Sequence, residues 1–131
     1  METIFTKIIN GDIPSYKIAE NESCYAFLDI SPLAQGHTLV IPKRQVDNIF
    51  DLADDEYQEL FLFAKKIAKA IKISFPCIKV GVAVIGIEVP HAHIHLVPIN
   101  KVSDLDFKKQ KLSLTKDEFE LITSKIINSL G

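Results

Sequence analysis

The stretch PHAHIHLVP, residues 90–98, holds His91, His93 and His95, three of the chain's four histidines. Imidazole carries protons near neutral pH, ligates metals and can attack phosphorus. In an extended strand, alternate side chains face the same way. The three histidines are therefore expected on one face, with Ala92, Ile94 and Leu96 directed into the opposite layer. Three clustered imidazoles each need a hydrogen-bond partner or a chemical task. Metal binding is one task, since zinc takes imidazole at ~2.0–2.1 Å in tetrahedral geometry. Neighbours at i and i+2 can share an ion, but His91 and His95 would lie ~13 Å apart along a strand. A set of two of them with His37, the fourth histidine, stays open, and no Cys or Asp pattern completes it. The other task is phosphorus chemistry. One imidazole attacks and forms an intermediate that water hydrolyses, a neighbour donates a proton or hydrogen bond, and a third fixes the tautomers. The residue types alone do not assign these roles.

Several elements must position this row. Ile4, Phe5, Ile8 and Ile9 have the spacing of a short helix ended by Asn10-Gly11. Tyr16 and Ile18, then Tyr25 to Leu28, read as a hairpin turning at Asn21-Glu22, and HTLVIP as a third strand stopped by Pro42. Residues 52–74 form the clearest helix, with Tyr57, Leu60, Phe61, Ala64, Ile67, Ala68 and Ile71 on one stripe. Leu62 and Phe63 fall off that stripe and suggest a second surface for a subunit contact. The β-branched stretch over residues 77–90 reads as a buried strand, the histidine stretch as the next, and residues 99–114 as an exposed charged loop. Thr115 and Glu118 make a capping box before a terminal helix. Strands dominate the middle without βαβ repetition, so the expected class is α+β with an antiparallel sheet.

The 131 residues suit one domain spanning 1–131. A net charge of −2 excludes nucleic-acid binding by bulk charge, so any phosphate recognition must be local. Cys24 and Cys77 form no CxxC pair, which favours reduced thiols and a cytoplasmic protein. No basic-then-apolar leader is read at the N-terminus, and no apolar run reaches the ~20 residues that span a bilayer.

The histidine stretch resembles the His-x-His-x-His pattern of the histidine triad (HIT) nucleotide-binding proteins. IFTKIINGDIP and CYAFLDISPLAQGHTLVIPKR stand in that family's order and spacing, so the resemblance runs from residue 4 to about residue 98 and points to the Hint-type branch. It implies an antiparallel sheet with one long helix, joined in a homodimer; the charged loop and the C-terminal helix after residue 98 differ from the short tail of that branch. It also implies hydrolysis of purine nucleoside phosphoramidates or related nucleotide conjugates at the α-phosphorus, with no cofactor and no obligatory metal. By position, His93 matches the nucleophile and His95 the residue that contacts phosphate and assists the leaving group. His91 and His37 match supporting histidines, Asp29 the carboxylate on the ribose hydroxyls, and Phe5, Ile8, Ile13 and Phe27 the walls around the base. The loop before the triad departs from the pattern: Ile87 stands where Gln is common, and Glu88 where Ser or Thr is common and would meet the phosphate. That departure favours the rival reading, a nucleotide-binding or interaction protein with little turnover. A histidine-based metal-binding protein is the third.

Overall fold

The computed structural model describes residues 1–131. The chain forms α1 (Ile4–Ile9), β1 (Lys17–Glu20), β2 (Cys24–Leu28), β3 (Thr38–Pro42), α2 (Asp54–Ser74), β4 (Lys79–Ala83), β5 (Ile94–Ile99) and α3 (Lys116–Asn128), with 3-10 turns at Ile49–Asp51 and Val102–Leu105. The five strands make one antiparallel sheet in the order β1-β2-β3-β5-β4. This is the expected α+β class.

Local chemistry accounts for the helix ends. Thr3 caps α1 by accepting from the Thr6 amide, and Gly11 leaves the helix at φ +82°. Asp54, Asp55 and Glu56 occupy the first turn of α2, where the helix dipole favours acids. Thr115 and Glu118 close the expected reciprocal box at α3.

Alternation along the strands builds two apolar layers. Cys24, Ala26, Leu28, Val40, Ile94 and Leu96 face α2 and α3 and belong to the main core. Tyr25, Phe27, Leu39 and Ile41 face the other way and pack with Phe5 and Ile8 of α1. In register, Phe27 lies opposite Leu39 and Leu39 opposite His95, so a cross-strand row on this second face leads from an aromatic ring to an imidazole.

Three expectations need correction. Residues 77–90 are not one buried strand: β4 stops at Ala83 and is half exposed, because it pairs only with β5 and leaves its other edge open. β5 begins at Ile94, so His91 and His93 precede it, held instead by His91 N–H to Val89 O and Ala92 N–H to Val46 O. The alternation survives, since Ala92, Ile94 and Leu96 all enter the main core. On α2, Phe63 is buried in that core, whereas Leu62 is exposed and Tyr57 partly so. The buried residues of α2 share this core with strand and α3 side chains, and Ser74 Oγ donates to the Lys125 carbonyl of α3.

Candidate active site

Backbone groups dictate where the protons sit on the histidines. His37 stands immediately before β3 and after Gly36, whose φ of +95° suits glycine and where a Cβ would come within 2.9 Å of the Phe75 ring. His37 Nδ1 accepts from the Leu33 amide at 2.9 Å, so a neutral His37 carries its proton on Nε2. That Nε2–H donates to His95 Nδ1 at 3.0 Å, which leaves the His95 proton on Nε2. His91 Nε2 lies 2.8 Å from the Pro42 carbonyl, which can only accept, so His91 Nδ1 is bare and accepts from Thr3 Oγ1 at 3.0 Å. His93 Nδ1 lies 2.7 Å from the His91 carbonyl and must donate to it, leaving a lone pair on His93 Nε2.

Burial holds three of these rings, His37, His91 and His95, towards the neutral form. Desolvation, followed by repulsion from His95 and Lys111, pushes His37 down to about 3. Desolvation and then His93 push His95 down to about 4. His91 is also lowered, first by burial, with its bond to Pro42 opposing. Asp29 is raised by burial and held back by the Ser31 amide on its Oδ1. The result is a bare imidazole nitrogen on His93 beside a ring, His95, that presents an N–H, the ring centroids 4.9 Å apart. That pair can attack an electrophile and donate to it without a prior proton transfer.

A cavity of about 520 Å³ opens over these rings, within the range of small-molecule sites (~300–1,000 Å³). Phe5, Ile8, Ile13 and Phe27 line its apolar end, Asp29 and Glu88 contribute carboxylates, and His93 and His95 line it too. The sequence thus brings these residues together as expected, while His91 and His37 stand behind the wall as hydrogen-bond partners. Phe5 meets the His93 ring edge-on at 5.0 Å. Glu88 is exposed on the rim and makes no ion pair.

Asp29, His37 and His95 place ligand atoms within 4.8 Å of one another, the spacing of a metal site. The proton arrangement opposes that use. His37 can ligate through Nε2 only by moving its proton to Nδ1, where it would confront the Leu33 N–H. The donor set fits a hydrogen-bond relay better than a cation.

Two features escaped the sequence reading. The segment after β5 is not simply an exposed loop: Phe107 packs 4.7 Å from the His95 ring, and Lys111 lines the cavity. Thr3 also supports the site through its bond to His91. The only signal for Phe107 is an aromatic residue among charges; for Thr3, a cap position two residues before Phe5.

Comparison with known proteins places the whole chain. A family model described as HIT domain matches residues 10–102. An uncharacterised HIT-like protein of Borreliella burgdorferi is 37% identical over 133 residues, covering 95% of this chain and 96% of the relative. The adenosine 5′-monophosphoramidase hnt1 of Schizosaccharomyces pombe is 37% identical over 99 residues, covering 75% of this chain and 74% of its own. Among solved structures, a Hit-like protein involved in cell-cycle regulation from Bartonella henselae superposes with a TM-score of 0.84 at 30% identity, covering 98% of this chain and 96% of its own. No helix is long and apolar enough to cross a membrane.

Proposed function

The chain belongs to the histidine triad (HIT) family, and from that premise we propose that it hydrolyses purine nucleoside phosphoramidates or related nucleotide conjugates at the α-phosphorus. A nucleotide-directed hydrolase is supported by the phosphoramidase among its relatives. The observation that carries the finer reading is the bare Nε2 of His93, fixed by the His91 carbonyl, at the wall of a cavity with an apolar end.

In this reading the base lies between Phe5, Ile8, Ile13 and Phe27, and Asp29 accepts from the ribose hydroxyls. His93 Nε2 attacks phosphorus and displaces the amine, forming a nucleotidyl-histidine. His95 Nε2–H donates to the phosphate or to the departing nitrogen, and is re-protonated through solvent. Water then attacks the phosphorus and releases the nucleoside monophosphate and His93. His37 and His91 hold their neighbours in the required tautomers. A homodimer belongs to the same reading, with the open edge of β4 as the surface on which a second sheet would join.

The test is incubation with an adenosine phosphoramidate, quenched early and examined by intact mass. Wild type should release adenosine monophosphate and show a nucleotidyl adduct. His93→Ala should release none and form no adduct while still binding adenosine monophosphate. A near-wild-type rate in that variant would remove His93 as nucleophile. Binding without turnover by wild type would favour the rival reading, a nucleotide-binding protein.

A further inference from the structure

We propose that Lys111 is the anion-binding residue of this cavity, taking the phosphate of a bound nucleotide; the inference rests on the nucleotide reading above. The family-model match ends at residue 102, so this lysine stands outside the portion that defines the family.

The charge inventory leads to it. The carboxylate and ammonium side chains lining the cavity are Asp29, Glu88 and Lys111, and Lys111 is the only lysine or arginine among them. Burial holds His37, His91 and His95 towards the neutral form. A nucleoside monophosphate carries close to two negative charges at neutral pH. Two fixed carboxylates and no cation would repel it, so a site for it needs a positive group, and the fold brings one from the segment after β5.

That segment is anchored rather than draped. Asp106 caps a turn by accepting from the Lys108 amide, and the Lys109 amide bonds the Asp106 carbonyl. Further on, the Leu112 amide donates to the Pro32 carbonyl, which ties the segment to the loop that carries Asp29. Between these points Phe107 packs against the His95 and His37 rings, at 4.7 and 6.2 Å. Lys111 Nζ donates to the carbonyls of Phe107 at 2.5 Å and Lys109 at 3.1 Å. Two of its three hydrogens are thereby engaged, and the third remains for a ligand. No carboxylate lies within ion-pair distance to neutralise it. Its charge is felt on the cavity side, where it opposes the burial-driven rise of Asp29 and adds to the lowering of His37. An ammonium pre-held by two carbonyls loses little side-chain freedom when an anion arrives.

The experiment is calorimetric titration of wild type, Lys111→Met and Lys111→Arg with adenosine monophosphate and with adenosine, at two salt concentrations. Lys111→Met should weaken adenosine monophosphate about tenfold, the scale of one lost charge-assisted hydrogen bond, and leave adenosine within about twofold. Lys111→Arg should keep most of the affinity, and the salt dependence of wild type should be blunted in Lys111→Met. Equal losses for both ligands would make Lys111 a structural wall and overturn the proposal. Unchanged affinities would overturn it as well, while leaving the nucleotide reading intact. Failure of wild type to bind either ligand would overturn both.

Discussion

Replacing Thr3 by Val removes a hydroxyl that serves two partners at once. Thr3 Oγ1 donates to His91 Nδ1 at 3.0 Å and accepts from the Thr6 amide at 3.1 Å. His91 is fully buried, and its other nitrogen is committed to the Pro42 carbonyl, so it cannot change tautomer to recover the loss. A buried acceptor stripped of its partner costs ~1–3 kcal/mol, and the lost N-cap adds ~1 kcal/mol. The backbone at Thr3 is extended, which a β-branched Val adopts readily, so strain adds nothing. The sum is roughly 2–4 kcal/mol, a large share of the stability of a chain this size, and lowers Tm by about 10 °C. Thr3→Ser restores the hydroxyl and should recover most of it. Urea unfolding of the three proteins reads this directly. Thr3→Val within about 0.5 kcal/mol of wild type, with an unchanged slope, would refute the reasoning, because His91 would then hold its place without Thr3.

The other expectations are separate from that one. His37 and His95 refuse protons in the folded protein that the unfolded chain accepts below about 6.5, so their contribution is complete above that pH and is lost as pH falls towards about 4 for His95 and about 3 for His37. At pH 5 the loss should reach roughly 2 kcal/mol for each, and a stability flat between pH 7 and 5 would contradict the neutral relay. Glu88→Ser removes an exposed, unpaired carboxylate from the cavity rim and should tighten adenosine monophosphate about two- to threefold at low salt; equal affinities in a titration would place Glu88 outside the phosphate field. Sedimentation at micromolar concentration should show a dimer, and a stable monomer would remove the joined sheet.

What could be read from sequence was local or periodic. The Thr115–Glu118 box, the hairpin and the two-residue histidine repeat depend on near neighbours, and all three stand in the structure. The end of β4 at Ala83 is not legible, because β-branched residues mark a strand without showing whether one edge is left open. The burial of Phe63 is not legible because helical spacing gives a stripe but not how wide a face the rest of the core covers. The post-β5 contribution to the cavity had no sequence signal: Phe107 and Lys111 arrive through a bond between Leu112 and Pro32, far apart in the chain. Thr3 and His91 are 88 positions apart, and no pattern joins them. Asp29, Glu88 and the apolar wall were found by resemblance, and their convergence on one cavity is a property of the register.

The proton order of the histidine row hangs on the Leu33 N–H and on the carbonyls of Pro42 and His91, groups nearly every amino acid possesses. Drift at positions 33 and 42 therefore leaves the bare nitrogen of His93 untouched so long as the chain path holds. The cavity lining on α1, on the loop before β5 and on the segment after it is made of side chains that take no part in that order. In such a molecule the shape of the cavity can be rewritten by point mutation while its proton order is inherited with the fold.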